Sequence, residues 1–476
     1  MKKYTLINNI LGWVIFLIAT TVYLITAEPT ASWWDCGEYI ATADKLQVGH
    51  PPGAPTFQLI GSLFSNFAGS DTSLIAYTIN AMSAVCSGFT ILFLFWSITM
   101  LAKKFVKNTE EMTKGQMIAI FASAVVGSLA YTFSDTFWYS AVEGEVYAMS
   151  SCFTAISFWA ILKWEAEADD KHNLRWLILI AFLIGISIGV HLLNLLAIPA
   201  ITYVFYFKKY PNVEKNKKRN FILVGIISML LVAVILYFIV PYIVIFAGKF
   251  EIFFTNSIGL PFNFGTIIYF VLLIGLLVAG VLYSIKKQKV ILNTALLSVL
   301  FILIGYTTFF VLVIRSNANT PINENAPKDA TALLTYLNRE QYGYTPLFHG
   351  QYYNAMVVDQ EEGTSKYIKD KENGKYIEVK QRGNLVYEKD KTTIFPRMWS
   401  NDQSRNHPTY YKMWAGINES SDRTPTFAEN LSFFFRYQVN HMYWRYFMWN
   451  FAGRQNDIQS HGILLSGNEP TNVSNG

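Results

Sequence analysis

Long apolar runs alternate with short polar segments over the first two thirds of the chain, and this alternation ends near residue 314. A membrane-spanning helix needs about 20 apolar residues to cross about 30 Å of hydrocarbon. Runs of that kind predict about nine spans here. They are residues 11–27, 73–101, 116–134, 145–162, 175–190, 192–207, 221–247, 266–285 and 290–314.

The stretch 175–207 is the ambiguous part of this pattern, because it could form one long tilted helix or two short helices joined near His191. With two helices, nearly all lysine and arginine residues beside the spans fall on the N-terminal side of the membrane. With one helix, the basic cluster 208–219 would move to the other side. Cytoplasmic loops carry an excess of basic residues, so the charge pattern favours two short helices.

The region after residue 314 is polar, rich in tyrosine and interrupted by Gly, Pro and Asn. Residues 326–342 predict a helix, and Asn373-Gly374 between two short apolar segments is typical of a hairpin turn. Nine spans with a cytoplasmic N-terminus place this region outside. The sequence therefore predicts an α-helical polytopic membrane domain, residues 1–314, followed by an extracytoplasmic α+β domain, residues 315–476.

The charged residues do not suggest a nucleic-acid partner. Only 15% of the residues are charged and 52% are hydrophobic, and the net charge of +5 lies mostly in short loops beside the apolar runs. Cys36, Cys86 and Cys152 have no metal-ligand spacing, so we interpret them as packing residues. The sequence shows no phosphate-binding glycine loop, dinucleotide fingerprint or zinc motif, which disfavours a nucleotide-sugar donor.

Two carboxylates follow the first apolar run directly, in the segment Trp33-Trp34-Asp35-Cys36-Gly37-Glu38. At a spacing of three, Asp35 and Glu38 share a face of any helix that begins there. Their mutual repulsion is expected to raise one of the two pKa values, which would suit that group to removing a proton from a hydroxyl. The alternative is a solvent-exposed acid pair at a helix start. His50 is a further candidate, although a structural role before Pro51-Pro52 is the simpler explanation.

Four more polar residues belong to the same predicted face. Glu145 begins the fourth apolar run, where a carboxylate needs a partner or water. His191 and Asn194 lie at the predicted helix break, and irregular backbone at membrane depth usually lines a cavity. Arg315 follows the last run, and its guanidinium matches the geometry of a lipid phosphate. A helix–helix hydrogen bond is the alternative for His191, as interfacial snorkelling is for Arg315.

These motifs together resemble glycosyltransferase family 117, a branch of the GT-C superfamily. The N-terminal pattern of that family is matched by Asp35-Cys36-Gly37-Glu38 and, after a short helix, by Gly49-His50-Pro51-Pro52-Gly53. A second element, similar to Ala-Glu-Val-Tyr-Ala-Leu, is matched by 144–149, where Gly144 and Met149 depart from it. A glycine-rich apolar run that ends in His matches 185–191. The resemblance covers roughly residues 10–200.

The resemblance implies a GT-C-like glycosyltransferase, with protein O-mannosylation as the activity known in the family. The implied donor is a polyprenyl-phosphate sugar, with mannose as the expected sugar, and the implied acceptor is a hydroxyl of an extracytoplasmic protein. Asp35 matches the acid that serves as base or acceptor-binding group in the superfamily, and Glu38 would tune it or hold the sugar. The expected substrate-binding residues are His50, Glu145, His191, Asn194 and Arg315. Members of the family are longer, which leaves a truncated C-terminus open.

The sequence requires no cofactor, although the acids could hold Mg²⁺ or Mn²⁺ beside the leaving phosphate. The expected location is a bacterial inner membrane, with a cytoplasmic N-terminus, a periplasmic C-terminal domain and membrane lipids as partners. Two other functions stay open. A transporter or lipid flippase would use the acids as a relay, but a relay needs acids at several depths. A structural scaffold would leave the acid pair unexplained.

Overall fold

The computed structural model describes residues 2–107, 112–210, 217–343, 345–363, 365–380 and 383–452, together with the backbone of 464–465 and 469–470. Contacts divide the chain into two compact units. The first consists of Met1–Phe133, Phe137–Gln341 and Tyr367–Glu378, and the second of Ser134–Thr136, Tyr342–Lys366 and Val379–Gly476. Because these units follow contacts rather than a membrane boundary, the division at 314/315 stays a prediction.

Helices dominate the described residues up to 341. They are α1 Lys2–Ile25, α2 Cys36–Asp44, α3 Pro55–Ser65, α4 Ile75–Lys103, α5 Lys114–Thr132, α6 Asp135–Ala141, α7 Val146–Ala166, α8 Leu174–Ile188, α9 Ala197–Lys209, α10 Lys217–Val234, α11 Val240–Asn256, α12 Phe264–Lys286, α13 Val290–Tyr306, α14 Phe310–Asn317 and α15 Ala330–Leu337. A π-helical turn, Ile235–Ile239, joins α10 to α11 without a break.

Within the described ranges, seven helical stretches are long and apolar enough to cross a membrane. They are Lys2–Ile25, Thr72–Lys103, Lys114–Thr132, Val146–Ala166, Lys217–Asn256, Phe264–Lys286 and Val290–Asn317. The other two predicted spans correspond to α8 and α9, which have 15 and 13 residues. At about 1.5 Å per residue, each is shorter than the hydrocarbon core of a bilayer. The chain is therefore a helical protein with several membrane-spanning candidates, and the total of nine stays a prediction.

The helix break expected within 175–207 is present. Helix α8 ends at Ile188, a 3₁₀ turn covers Leu192–Leu196, and α9 begins at Ala197. Gly189 lies at the break, and its carbonyl accepts a hydrogen bond from the backbone N–H of Thr56 at 2.8 Å. A Cβ on Gly189 would lie 2.4 Å from Thr56 Oγ1, so only glycine allows this approach. The break is thus fixed by contact with α3.

Two glycines bring the backbones of α8 and α13 into direct contact. An added Cβ at Gly185 would lie 2.3 Å from the carbonyl oxygen of Ile302, and one at Gly305 would lie 2.3 Å from the backbone nitrogen of Ile186. Small residues at helix contacts permit such close approach within membranes, where apolar lipid removes most of the hydrophobic driving force. The glycine-rich run of the sequence therefore serves helix packing.

The short helices α2 and α3 pack on the ends of α4 and α7. Their contact is a buried apolar cluster whose members come from all four elements and from the helix break. These members are Ile40, Ala43, Ala54, Phe57, Ile79, Met82, Val146, Met149 and Val190. The start of α2 is thereby held beside the start of α7, and the candidate site lies at this end of the helices.

The second unit contains short strands and helices. The strands among the described residues are β1 His349–Gln351, β2 Val357–Gln360, β3 Ser365–Asp370, β4 Lys375–Lys380, β5 Leu385–Tyr387, β6 Thr392–Ile394, β7 Leu464–Leu465 and β8 Glu469–Pro470. They pair as β1–β6, β2–β5, β3–β4 and β7–β8, and His349 faces Ile394 in the antiparallel β1–β6 pair. The remaining helices are α16 His407–Ala415, α17 Phe427–Phe433 and α18 Arg445–Ala452, with a π-helix at Phe434–Trp444.

Two local predictions for the residues after 314 are confirmed. Strands β3 and β4 form the hairpin expected around Asn373-Gly374, and Gly374 has a φ of 65°, which glycine adopts readily. Helix α15 occupies the middle of the helix expected at 326–342. Its N-cap is Asp329, whose carboxylate accepts from the backbone N–H groups of Thr331 and Ala332.

Candidate active site

Asp35 stands at the N-cap position of α2 with its carboxylate exposed. The preceding Trp34 has a φ of 62°, which turns the chain into the helix. The Asp35 side chain is 59% exposed and makes no capping hydrogen bond to the described backbone of α2. Because the carboxylate is not engaged by its own helix, it can reach a substrate. The predicted base is therefore accessible.

Glu38, in the first turn of α2, holds His50. Glu38 Oε2 lies 3.0 Å from His50 Nδ1, and Glu38 Oε1 accepts from the His50 backbone N–H at 2.5 Å. A Cβ on Gly49 would lie 2.5 Å from Glu38 Oε1, which explains the glycine before the histidine. The motif Gly-His-Pro-Pro-Gly thus folds back on α2, and one carboxylate fixes both the backbone and the ring of His50.

This pairing changes the expected electrostatics of the two acids. Burial acts to raise the pKa of Glu38, but the hydrogen bonds from His50 outweigh it and hold that pKa below its usual value. The same hydrogen bond to Glu38 raises the pKa of His50, with further help from the charges of Glu38 and Asp35. The expectation that repulsion within the acid pair raises a pKa is therefore wrong for Glu38, because the hydrogen bonds from His50 stabilise its ionised form.

Asp35, Glu38 and His50 form a compact cluster. Asp35 Oδ2 lies 3.9 Å from His50 Nε2, and one ligand atom from each of the three residues lies within 4.8 Å of the others. Carboxylate and imidazole ligands suit Mn²⁺, whereas Mg²⁺ prefers oxygen. The three residues fit a divalent cation on condition that Glu38 and His50 give up their mutual hydrogen bond.

The loop that carries His50 is fastened by residues from much later in the chain. The guanidinium of Arg315 donates to the carbonyls of Leu46 at 2.6 Å and Lys45 at 3.0 Å. The hydroxyl of Tyr336, which is buried, donates to the carbonyl of Gly49 at 2.6 Å. In this structure Arg315 satisfies carbonyls at the end of α2. Its expected contact with a lipid phosphate stays a prediction.

Glu145 is a buried carboxylate at the N-cap of α7. It is 7% exposed, and its Oε2 accepts from the backbone N–H of Val146 at 3.3 Å. Burial raises the pKa of Glu145 to about 7; the negative charges of Asp35 and Glu143 add to this, while the Val146 N–H opposes it. A carboxyl group with a raised pKa therefore lies at Glu145, outside the Asp35–Glu38 pair for which the sequence predicted one.

Glu145→Gln is expected to make the stability of the protein less dependent on pH. The folded protein binds this proton more tightly than the unfolded chain, so stability is greatest below the unfolded pKa of 4.5 and falls as the pH rises to about 7. The wild type loses about 2–3 kcal/mol over this window, and the glutamine variant does not. Melting of both proteins in detergent at about pH 5 and about pH 8 tests this. If the melting temperatures of the two proteins differed by the same amount at both pH values, the prediction would be wrong.

His191 and Asn194 occupy the helix break with different environments. His191 Nδ1 accepts from the backbone N–H of Leu193 at 3.1 Å, and its ring lies 5.5 Å from that of Tyr147. Burial lowers the pKa of His191. Asn194 is fully buried, and its amide donates to Ser187 Oγ at 2.7 Å. Asn194 thus ties the break together in this conformation, while both residues' contacts with a substrate stay predictions.

The structure adds residues that the sequence did not single out. Ser32 Oγ donates to the buried carboxylate of Glu143 at 2.6 Å and lies 3.0 Å from Cys36 Sγ. Ser32 and Glu143 border a cleft of about 540 Å³ next to the start of α2. Its lining consists of Glu28, Ala31, Ser32, Trp33, Tyr139, Val142 and Glu143. The signal in the sequence that could have indicated Glu143 is its position two residues before Glu145.

Glu324 is the second addition. Its backbone N–H donates to the carbonyl of Val48 at 3.0 Å, in the loop that carries His50. Burial raises the pKa of Glu324, and the negative charge of Glu38 adds to that effect while His50 opposes it. Nothing in the sequence connects residue 324 with residue 38. This acid could be found only from the folded structure.

Two family models match parts of the chain. A family described as the protein O-mannosyl-transferase TMEM260 N-terminal domain matches residues 35–214, a range that contains every predicted site residue except Arg315. A family of unknown function, DUF8416, matches residues 343–435. No solved structure matches the chain significantly.

Two curated relatives carry the same description. Protein O-mannosyl-transferase tmem260 of Dictyostelium discoideum is 28% identical over 156 residues, which are 33% of this chain and 17% of the relative. Protein O-mannosyl-transferase TMEM260 of Mus musculus is 22% identical over 174 residues, which are 37% of this chain and 22% of the relative. The matched part thus spans about a fifth of each relative. The N-terminal part of this chain is similar to the N-terminal domain of protein O-mannosyl-transferases of the TMEM260 type.

Proposed function

We propose that this chain is a membrane glycosyltransferase that moves mannose from a polyprenyl-phosphate carrier to a hydroxyl of an extracytoplasmic protein acceptor. The observation that carries the proposal is the cluster of Asp35, Glu38 and His50, with Glu145 at the adjoining start of α7. The similarity of residues 35–214 to a protein O-mannosyl-transferase domain supports the same reaction. The separate roles that the site residues can take, described below, support it as well.

The transfer is one displacement at the anomeric carbon of the sugar. The acceptor oxygen forms a bond to this carbon, the bond from the carbon to the phosphate oxygen breaks, and polyprenyl phosphate leaves with both electrons of that bond. The proton of the acceptor hydroxyl passes to the carboxylate of Asp35. This residue suits the role because its side chain is 59% exposed and is not used by its own helix.

Glu38 and His50 act as positioning groups in this scheme. Glu38 holds the imidazole through Nδ1, so the Nε2 atom faces the Asp35 carboxylate at 3.9 Å. The raised pKa of His50 favours protonation of the ring, and a protonated ring stabilises the ionised form of Asp35 and attracts the leaving phosphate. Substitution of Glu38 would therefore disturb the base through His50 rather than through direct contact with the acceptor.

Glu145, with a pKa of about 7, is available in both protonation states near neutral pH. We assign it to hydrogen bonding with the sugar hydroxyls, together with His191, whose neutral ring has Nδ1 occupied by the Leu193 N–H. A divalent cation bound by Asp35, Glu38 and His50 would supply additional positive charge for the leaving phosphate. Because cation binding breaks the Glu38–His50 hydrogen bond, the positioning roles given above apply to the cation-free site.

The membrane orientation belongs to the proposal as well. We place the N-terminus in the cytoplasm and the site and residues 315–476 on the outer side, following the basic-residue bias. The curated relatives that match are eukaryotic, and the bacterial inner membrane stays a prediction. The alternative transporter would need ionisable groups at several depths, whereas the proposed acids gather at one end of α2 and α7.

The test is sugar transfer by membranes that contain the full chain, with radiolabelled polyprenyl-phosphate mannose as donor. We expect label in a protein fraction that resists lipid extraction and is released as mannose. The glucose and arabinose counterparts serve as matched donors and should transfer less. A chelator followed by added Mn²⁺ tests the cation separately. Absence of transfer from all three donors by a folded, membrane-inserted protein would overturn the proposal.

A further inference from the structure

A second cavity lies at the opposite end of the helices. It has a volume of about 530 Å³, and its lining comes from the beginning of α1 and the ends of α4, α7 and α9. Helix α4 has 29 residues and therefore extends about 43 Å from the candidate site to this end. Nothing bound here can reach Asp35, so this cavity has no part in the proposed transfer chemistry.

The rim of this cavity is cationic. Lys103, Lys104, Lys163 and Lys208 line it, against a single lining carboxylate, Glu165. Lys104 pairs with Glu165. Lys208 pairs at 3.0 Å with Asp169, whose side chain is 92% exposed and therefore weakly held.

Lys103 is the least neutralised of these cations. Its ammonium lies 5.6 Å from the centre of the Tyr4 ring, and the ion pairs of the described residues include no carboxylate partner for it. An aromatic face stabilises a cation without cancelling its charge. Lys103 can therefore attract an anion into the cavity, with Lys208 free to exchange its exposed partner for the same anion.

The floor of the cavity is apolar and aromatic. Trp96, Met100, Trp159 and Leu162 form it. Within the described residues, the indole N–H of Trp96 and the side-chain oxygen of Asn8 are buried without a hydrogen-bond partner, and both residues line the cavity. Both atoms have almost no accessible surface, and the Trp96 nitrogen faces Gly12, so neither is open to the cavity. The cavity thus combines positive charge with apolar and aromatic surface.

We propose that this cavity binds the head group of one anionic phospholipid. Its phosphate would lie between Lys103 and Lys208, and the first part of a chain would cover Trp159. Basic cavities between membrane helices at the cytoplasmic side bind anionic head groups in this way. A free phosphate would use the lysines but would leave the aromatic floor uncovered. The site is a structural lipid site, separate from the donor carrier, because no sugar bound here reaches the acids.

The test uses the purified full chain in a neutral detergent and native mass spectrometry with dioctanoyl phosphatidylglycerol or dioctanoyl phosphatidylcholine. We expect the first phosphatidylglycerol to bind about tenfold more tightly than phosphatidylcholine. The double variant Lys103→Ala/Lys208→Ala should lose this preference. Lys286→Ala/Lys287→Ala removes the same charge from exposed positions at the same end of the helices and should keep it.

Three outcomes would overturn the proposal. Equal binding of the two lipids by the wild type would remove the anionic preference. Equal loss in both double variants would show a general surface-charge effect rather than a cavity. Competition by inorganic phosphate at millimolar concentration would identify a free anion as the ligand. Circular dichroism of each variant shows whether it is folded, so a failure of folding is recognised separately.

Discussion

Asp35→Asn is expected to reduce sugar transfer by about 10²- to 10⁴-fold, the usual contribution of a general base. The asparagine side chain keeps the size of the aspartate and cannot accept the proton of the acceptor hydroxyl. Because Asp35 is exposed and does not cap α2, the substitution leaves the fold unchanged. Initial rates in membranes with matched amounts of the variant and the wild type measure the effect.

Asp44→Asn is the matched control for this experiment. Asp44 is the last residue of the same helix and pairs only locally, with the ammonium of Lys45 at 3.0 Å. An isosteric change there removes the same charge from α2 without touching the Asp35–Glu38–His50 cluster. The Asp44 side chain is 16% exposed, but its partner Lys45 is 71% exposed, so the pair contributes little and the rate should stay within about twofold of the wild type. Equal rates for Asp35→Asn and the wild type would remove Asp35 from the mechanism while leaving the transferase activity intact.

Gly185→Ala is expected to destabilise the helical part of the protein strongly. The new Cβ would lie 2.3 Å from the carbonyl oxygen of Ile302 and 2.7 Å from its Cα, and both are backbone atoms that cannot rotate away. Helices α8 and α13 must therefore separate. Overpacking of this kind costs about 1–3 kcal/mol, and rigid backbone on both sides favours the upper part of that range. The melting temperature in detergent and the yield of monodisperse protein report the loss.

Gly275→Ala provides the comparison within the same unit. Gly275 lies in α12, and an added Cβ there would have no atom of the described protein within 4 Å. Alanine is the better helix former, so this variant should be as stable as the wild type or slightly more stable. If the two substitutions lowered the melting temperature equally, the cause would be glycine content in general. The contact between α8 and α13 would then carry no special energy.

The sequence anticipates the features of this fold that depend on local pattern. Apolar runs located the long helices, because a span is defined by length and hydrophobicity within one segment. The polar pair His191 and Asn194 inside such a run located the break after α8. Asn373-Gly374 located the hairpin, since two-residue turns have strict φ requirements.

What the sequence could not show depends on residues that are far apart in the chain. The pKa of Glu38 is lowered because the loop at 49–53 folds back onto α2, a contact absent from any local pattern. Arg315 seemed suited to a phosphate, yet its guanidinium donates to the carbonyls of Lys45 and Leu46. Glu324 comes near the site because its neighbour Asn323 forms a parallel β-bridge with Val48. Such pairings follow from the packing of whole helices, which spacing along the chain does not encode.

The fastening of the His50 loop also sets the order in which the site can be completed during synthesis. Tyr336, whose hydroxyl donates a hydrogen bond to the Gly49 carbonyl, lies 287 positions after Gly49 in the chain. Arg315, whose guanidinium donates to the Leu46 carbonyl, lies 269 positions after Leu46. The ribosome therefore releases Asp35, Glu38, His50 and Glu145 long before the residues that fix their loop exist. Until α15 is in place, a nascent chain carries the acids of the site without the rigid loop between them, so catalytic competence arrives as a late event in biogenesis.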